Sequence, residues 1–353
     1  MIVLSEPDFL ALPPHLAALF TAAGTQSFFS QAGWYSIMTR RAREPGSQIR
    51  VYADSDRPTA ALVCRTDGDR RLQGLANFYS VEHGPIFGDA DASNAIAGLA
   101  GEIAGESRSR ELFRLSALDP GDIAFGALAR GLKAAGWMVK PHFEFGVWFE
   151  DTRGCDFSRY FAARPGELRH TYRRRLARAR THRLDFRLAD GHSDISSLIA
   201  DYEEIYRQSW KESEPFPDFM PELIRWSFSL GALRMGVIRI DDVPAAAQFW
   251  ILWQGRAVIY KLAHDQRYDA LSPGTLLTMR MFEHVLESDR PNEVNFGRGD
   301  DPYKKMWLPR RRERWGLVAA NPRTLAGLRL GLRGVAAGLR DRIAAAHRGV
   351  NAR

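Results

Sequence analysis

The feature that most constrains this chain is an order of predicted elements that occurs twice. From residue 233 to 264, three runs of apolar, β-branched and aromatic residues are separated by Asp241-Asp242 and Gln254-Gly255, which predicts an antiparallel three-strand meander. Apolar residues at helical spacing follow over Thr275–Glu287, and a short strand begins at Glu293. The predicted order is therefore three strands, a loop, a helix and a strand.

The first half of the chain repeats this order. Its predicted elements are strands at Gln48–Ala53, Thr59–Cys64 and Arg71–Phe78, a helix near 94–105 and a strand at Glu111–Ala117. The offset between the copies is nearly the same whether it is taken between the first strands or between the strands after the helix. Two agreeing offsets predict a duplicated α/β unit. We therefore expect domains at 1–155 and 156–320, followed by a tail at 321–353.

Three predicted helical segments lie outside the repeated strand and helix order, and the first and the last of them are basic. Tyr160–Arg187 and Asp194–Ser229 are predicted to be mainly helical, and the first carries the run Arg173–Arg175. After Asn321, leucines recur every three or four residues among arginines, which predicts a basic amphipathic helix over 321–353. Such a helix suits an anionic membrane surface. The alternatives are a helix packed on the second domain and an interaction tail.

Composition narrows the class of protein. Of the 353 residues, 45% are hydrophobic and 26% are charged, as in ordinary globular proteins. The net charge of +7 favours an anionic partner such as nucleic acid, anionic lipid or a phosphate-bearing cofactor. Cys64 and Cys155 are the two cysteines, too few and too far apart in sequence to suggest a disulfide framework or a four-ligand zinc site. With neither a signal-peptide pattern nor a long apolar stretch, we expect a cytoplasmic protein whose membrane contact is at most peripheral.

A helix start in the second copy is a candidate phosphate site. Ser272-Pro273-Gly274-Thr275 lies where the predicted helix begins, so backbone N–H groups and the positive end of the helix dipole are available there. Gly274 allows close approach to the main chain, and Arg267 supplies a charge. The alternative is an ordinary N-cap by Ser272 with Pro273 in the first turn.

The other loops of the repeat differ in charge. The first-copy loop contains Glu82, Asp89 and Asp91 and no cation, so we expect a phosphate-bearing group to bind the second copy. The turn Asn295–Trp307 concentrates glycines, acids and bases at a strand end, which is typical of a site, although a solvent-exposed turn with local salt bridges would look the same.

Several of these residues together carry a resemblance to a known family. They are Trp210-Lys211, Tyr260–Asp265, Leu271–Leu277, and Asn295–Lys304 with Trp307. This pattern, most specific over residues 200–310, resembles GNAT-superfamily acyltransferases of the CelD-like, FemAB-related type. The resemblance implies a tandem GNAT fold, each half a mixed, mostly antiparallel sheet flanked by helices. It also implies transfer of an acyl group from a thioester carrier to an amine, with no permanently bound cofactor.

The donor is left open at this point. Ser272-Pro273-Gly274-Thr275 occupies the place of the superfamily's longer pyrophosphate loop. The resemblance implies acyl-CoA, an acyl carrier protein or, as for some FemAB relatives, aminoacyl-tRNA. The basic segment with Arg173 suits the last two donors, because both are strongly anionic.

The chemistry implied by the resemblance assigns roles to particular side chains. The amine must lose a proton before attack, and we predict His264 with Asp265 as the base, with Asp300 as a second candidate. Backbone N–H groups near the third strand would hold the oxyanion. The residues predicted to bind substrate are Asn77, Tyr79, His83, Trp210, Tyr303 and Lys304. Three of the predicted catalytic and binding residues also have a structural alternative. His264 would be a hydrogen-bonded histidine at a strand end, Trp210 would be a core residue, and Lys304 would form a solvated pair with Lys305.

The predicted function is N-acyl transfer to an amine held where the two halves meet. The resemblance suggests acceptors such as sphingoid bases, amino sugars of envelope polysaccharides and peptidoglycan precursors. Two other classes remain: a nucleic-acid-binding protein that uses its arginine runs, and a degenerate transferase kept as a scaffold. The arginine runs are also common on solvated faces.

Overall fold

The computed structural model describes residues 1–88, 92–106, 109–189 and 193–333. It divides into two compact units: unit 1 comprises 1–145 and 313–353, and unit 2 comprises 146–312. The chain leaves unit 1 inside one strand and returns to it inside another. The domain limits predicted at 155 and 320 mark the ends of two duplicated units. A division of the chain into compact units does not test a duplication, so these limits stay a prediction.

Unit 1 is an α/β layer built on the first copy of the repeat. Its elements are β1 (Ile2–Ser5), α1 (Pro14–Gly24), α2 (Ala32–Arg41), β2 (Ile49–Ala53), β3 (Ala60–Asp67), β4 (Arg71–Gly74), β5 (Ile86–Phe87), α3 (Ser93–Glu106), β6 (Leu112–Leu118), α4 (Ile123–Ala134) and the first part of β7 (Met138–Asp151). The last part of β13 (Arg310–Ala320) completes it.

The sheet of unit 1 is mixed and mostly antiparallel. Its order is β1-β2-β3-β4-β6-β13-β7, and β4 and β6 are the parallel pair. Helix α3 buries Ile96, Leu99 and Ile103 on the sheet. Their spacing of three and four residues places them on one helix face, which explains why this segment folds as a helix against the strands.

Unit 2 repeats this design with more helices. Its elements are the end of β7, α5 (Phe157–Ala162), α6 (Gly166–Ala179), β8 (Leu184–Leu188), α7 (Ile195–Arg207), α8 (Phe219–Ser229), β9 (Leu233–Ile240), β10 (Val243–Trp253), β11 (Arg256–His264), α9 (Pro273–His284), β12 (Glu293–Asn295), α10 (Lys304–Trp307) and the start of β13. The sheet order is β7-β12-β11-β10-β9-β8, and β11 and β12 are parallel.

An aromatic stack joins the helices of unit 2 to its sheet. Phe282 of α9 lies between Tyr160 and Trp307, with ring centroids 4.4 and 5.8 Å away, and packs edge-on against Trp250 of β10. All four rings are buried. Because large aromatic side chains contribute much of the burial energy of a core, this stack fixes α9 on the sheet.

The repeated strand order predicted from the sequence is confirmed in both copies, and one helix prediction is wrong. Residues 184–188 form β8, which pairs antiparallel with β9. Leu184, Phe186 and Leu188 alternate with Asp185 and Arg187, and this period of two is the strand signal that the arginine-rich surroundings concealed.

The predicted terminal helix begins later than expected. Asn321 is fully buried and donates its side-chain amide to the carbonyl of Arg110 at 2.9 Å, and the helix starts at 325. It is described as far as 333, so the rest of the predicted tail lies outside the described residues, as do Asp89 and Asp91 of the first-copy loop. Within the described ranges, none of the helices is both long and apolar enough to cross a bilayer.

Candidate functional site

The predicted phosphate loop joins β11 to α9. A 3₁₀ segment, Gln266–Leu271, follows the strand, and Ser272 adopts φ 51° before α9 starts at Pro273. The Ser272 hydroxyl donates to the carbonyl of Asp269 at 3.3 Å and does not cap the helix. Ser272 occupies the N-cap position with Pro273 in the first turn, as the alternative interpretation predicts, but its side chain makes no cap hydrogen bond to the first turn of this twelve-residue helix.

His264, at the end of β11, lies against this helix start. A methyl group added at Gly274 would be 3.4 Å from its Nδ1, while its Nε2 lies 2.9 Å from Oδ1 of Asp269. An Nε2–H that donates to the carboxylate leaves the lone pair on Nδ1, facing the start of α9. Asp269, which sequence reasoning did not select, therefore orients the imidazole.

The two parallel strands beside this loop pair only briefly. The register of β11 and β12 runs from Arg256–Glu293 to Val258–Asn295 and ends there, whereas β11 continues to His264. Because β12 itself ends at Asn295, the edge of β11 from Ile259 onward extends past β12. Main-chain N–H groups along such an edge are suitable donors to a carbonyl oxygen that develops negative charge.

Asp265 and Arg267 form an ion pair with each other. The Asp265 carboxylate is buried, accepts from Nε of Arg267 at 2.9 Å and also caps the 3₁₀ segment through the Arg267 amide at 2.9 Å. Burial alone would raise the pKa of Asp265, but the hydrogen bonds from Arg267 outweigh it and hold the pKa below its ordinary value. This pair braces the loop, and a carboxylate held in this way is a weak base.

Asp300 is held in the same manner. Nη2 of Arg311 donates to its Oδ2 at 2.7 Å, and this hydrogen bond lowers the pKa of Asp300. Lys304 is 5% exposed and donates to the carbonyls of Arg298 and Gly299 at 3.1 and 3.2 Å. The solvated-pair interpretation is therefore wrong for Lys304, because its side chain closes the turn after β12. Tyr303 is partly exposed and packs edge-on to Phe296.

Trp210 is half exposed, so the core interpretation of this residue is wrong. Its ring centroid lies 4.5 Å from that of His264 and 5.7 Å from Nζ of Lys211. Trp210 thus stands between the histidine and a cavity of about 320 Å³ lined by Tyr202, Glu203, Tyr206, Arg207, Lys211, Ser213, Glu214, Pro217, Met220 and Pro221.

Sequence reasoning missed the charged groups beside this cavity. Nζ of Lys211 and Nζ of Lys261 each lie 5.8 Å from the Tyr206 ring, and Lys261 pairs with Glu214 at 2.7 Å. Burial, then the neighbouring charge of Lys261, lowers the pKa of Lys211 to about 8. The Trp210-Lys211 pair was visible in the sequence, but Lys261 comes from β11, fifty positions further along the chain, and periodicity does not place it beside the pair.

The predicted substrate residues of unit 1 have structural roles. The Asn77 side chain accepts from the Tyr79 amide at 2.9 Å, and Tyr79 is buried. His83 is also buried; its Nε2 lies 3.3 Å from the carbonyl of Val63, and burial lowers its pKa to about 4. These contacts hold the first-copy loop, and contact with an acceptor stays a prediction.

Comparisons with known proteins agree with this architecture. Residues 166–305, which include β11, the loop and α9, match the family described as an acetyltransferase (GNAT) domain. The fold resembles FemX, with a TM-score of 0.57 at 8% identity over 90% of this chain and 97% of that one.

Two further structures share the fold. One is the C-terminal domain of a protein described as a lysylphosphatidylglycerol synthetase from Agrobacterium fabrum, with a TM-score of 0.56, 14% identity and coverage of 91% and 95% of the two chains. The other is L-PGS from Bacillus licheniformis, with a TM-score of 0.52, 12% identity and coverage of 80% and 88%. No curated protein matches the sequence significantly.

Proposed function

Since the chain carries a GNAT acetyltransferase domain over residues 166–305 and has the fold of FemX, we propose that it transfers an acyl group from a thioester donor to an amine. The observation that carries the proposal is the position of His264, whose Nδ1 faces the start of α9 beside the edge of β11 that extends past β12. The three parts that the reaction needs are thereby adjacent: an anion site, hydrogen-bond donors and a base.

In the proposed step, the donor's phosphates bind the amino end of α9 and the thioester carbonyl lies at the edge of β11 beyond Val258. His264 takes a proton from the acceptor ammonium, and the amine nitrogen forms the new C–N bond. His264 releases this first proton to solvent. The C–S bond then breaks, and the second proton that the nitrogen loses passes through His264 to the leaving thiolate. Asp265 and Asp300 are poor proton acceptors by comparison, because Arg267 and Arg311 stabilise their charged forms.

We propose acyl-CoA as the donor, with an acyl carrier protein or aminoacyl-tRNA as the alternatives. The position of helix α6 supports an anionic carrier. Its Arg175 donates to the carbonyl of Ala270, which lies in the loop between β11 and α9 where the phosphates of the acyl donor are proposed to bind. Arg174 and Arg178 of the same helix have no carboxylate partner among the described residues. The contact of Arg175 brings this arginine-rich helix to the loop, and guanidinium groups favour phosphate-rich donors.

For the acceptor we propose a lipid or envelope-precursor amine. The described start of the terminal helix supports a peripheral membrane location. Leu325 is 80% exposed and Leu332 is 56% exposed, whereas a methyl group added at Gly331 would collide with Sδ of Met138. The glycine side of this helix therefore packs on unit 1, and its leucine side is open to another surface.

The test is release of free thiol from acetyl-, octanoyl- and palmitoyl-CoA in the presence of sphingosine or glucosamine. Partly exposed Cys155 gives a fixed background that is subtracted. We expect turnover with one chain length, and we expect His264→Ala to lower kcat about 10²–10³-fold, as loss of a general base does. Donor binding should persist in this variant.

His170→Ala is the matched control, because His170 is an exposed histidine of α6 outside the site. It should keep full activity. Equal activity of His264→Ala and the control would exclude His264 as the base. If no CoA donor is turned over, acyl carrier protein and aminoacyl-tRNA are tried, and inactivity with all three would refute acyl transfer.

A further inference from the structure

Lys211 is the one ammonium of its cluster that has no oxygen partner among the described residues. The cluster consists of Lys211, Lys261 and Lys304 with the carboxylates Glu214 and Asp301. Lys261 pairs with Glu214 at 2.7 Å, and Lys304 pairs with Asp301 at 2.9 Å. Around Lys211 lie the rings of Trp210 and Tyr206, at 5.7 and 5.8 Å. The cluster therefore keeps one uncompensated positive charge.

This charge faces an open cavity. Lys211 is half-buried and lines the 320 Å³ cavity together with Tyr206 and Glu214. Glu214 is held by Lys261, and Glu203, the other carboxylate in the lining, is exposed. An anion that enters at Lys211 would gain a charge-assisted hydrogen bond and would relieve the repulsion between the lysines.

We propose that Lys211 is the anion-binding group of an acceptor subsite, which takes a carboxylate or a phosphate that belongs to the amine substrate. Anion binding stands without the proposed function, whereas its assignment to the acceptor rests on it. The Trp210 ring lies 4.5 Å from the His264 ring and 5.7 Å from Nζ of Lys211, so a single indole bridges the two groups. These two distances limit the separation of the His264 ring from Nζ of Lys211 to about 10 Å, so the nitrogen and the carboxylate or phosphate of the acceptor belong to one small unit, such as the headgroup of a lipid.

The direct test is a titration of the full chain with inorganic phosphate and with acetate, followed by calorimetry and by tryptophan fluorescence. Wild type should bind at least one of them saturably. Lys211→Arg should keep the affinity within about threefold, because the charge remains, and Lys211→Met should lose at least tenfold. Lys305→Met, which removes an exposed lysine beside Lys304, is the control for net charge and should bind as wild type.

Three results would overturn the subsite: wild-type affinity in Lys211→Met, a loss in Lys211→Arg as large as in Lys211→Met, or an equal loss in Lys305→Met. The second result would instead indicate that the neutral amine of Lys211 is required. A fluorescence response that persists in Trp210→Phe while calorimetry reports binding would place the anion away from Lys211 and would also count against the proposal.

Matched amines then distinguish the source of the anion. O-phosphoethanolamine is compared with ethanolamine, and β-alanine with propylamine, in the thiol-release assay. Preference for one charged member, lost in Lys211→Met, supports a phosphate or a carboxylate respectively. Anion binding without turnover of any acceptor by acyl-CoA, acyl carrier protein or aminoacyl-tRNA would refute the proposed function and leave the subsite standing. Turnover with no preference for a charged amine would refute the assignment to the acceptor alone.

Discussion

At the residue scale, the polar side chains of the candidate site fall into two groups. Some are hydrogen-bonded to other groups of the protein, and others face the loop or the cavity. Asp265, Asp300 and Lys304 have their hydrogen-bonding capacity taken up by Arg267, Arg311 and backbone carbonyls. Nδ1 of His264 faces the start of α9, and Lys211 lines the cavity. Residue type and spacing selected His264, but they did not distinguish it from Asp300, because both are polar residues at strand ends. The distinction depends on Arg311, eleven positions away in the chain.

The unpaired ammonium of Lys211 has a measurable cost. Its pKa of about 8 in the folded protein is below the ordinary value near 10.4 of an unfolded chain. Between these values the unfolded state binds more protons, so the free energy of unfolding rises with pH and the penalty is largest at pH 7. We expect Lys211→Met to be more stable than wild type at pH 7, by about 1–3 kcal/mol, and to lose this advantage near pH 10.5.

Urea unfolding at pH 7 and pH 10 checks this expectation. Lys305→Met changes the net charge equally at an exposed position, so its stability should follow that of wild type at both pH values. If Lys211→Met is no more stable than Lys305→Met at pH 7, Lys211 carries no such penalty.

At the element scale, α9 is positioned by a polar contact inside the core. Gln248 of β10 is fully buried, donates to Thr278 and to the carbonyl of Gly274, and accepts from the Trp250 indole at 3.1 Å. The apolar residues around Gln248, in the sequence Ala-Gln-Phe-Trp, are enough to predict a strand here. That its one glutamine ties the strand to the first turn of α9 follows only from the packed structure.

Gln248→Leu is therefore expected to lower the free energy of unfolding by about 1–3 kcal/mol, because the indole of Trp250 and the hydroxyl of Thr278 lose a buried partner. The donor KM should rise as the first turn of α9 loosens, with a smaller change in kcat. Chemical denaturation and donor kinetics measure the two effects. Gln254→Leu, at the turn after β10, is the control and should change neither quantity.

The sequence predicted the elements that repeat and missed those that join the copies. The meander β9–β11, α9 and their first-half counterparts have period-two or helical patterns that decide their type locally. Strands β7 and β13 were not predicted, because they lie after the repeated strand–helix–strand units in which the pattern was sought. Their patterns are also irregular: Arg310–Arg312 read as a basic cluster, yet they begin an eleven-residue strand.

At the scale of the whole molecule, the proposed peripheral membrane location depends on the terminal helix. We expect a chain ended after Thr324, which keeps the buried Asn321, to lose binding to vesicles of phosphatidylcholine and phosphatidylglycerol at 3:1. The loss should be at least tenfold, since exposed leucines and arginines both leave. Turnover of a soluble acceptor should be unchanged.

Vesicle co-sedimentation measures this binding, with pure phosphatidylcholine vesicles as the uncharged comparison. Leu325→Ser combined with Leu332→Ser is the matched variant, because it removes the apolar contact and keeps every charge. Unaltered sedimentation of the truncated chain would remove the support for a membrane location.

The passage of the chain between its two units has a consequence for biosynthesis. Strand β6 of unit 1 pairs with residues 315–320 of β13, which the ribosome reaches only after the whole of unit 2. At about 5–20 residues per second, β6 waits for this neighbour for about 10–40 s. During that interval a nascent unit 1 presents an unpaired strand edge. A chaperone that covers it, or rapid folding of unit 2, would decide how much of the newly made protein escapes aggregation.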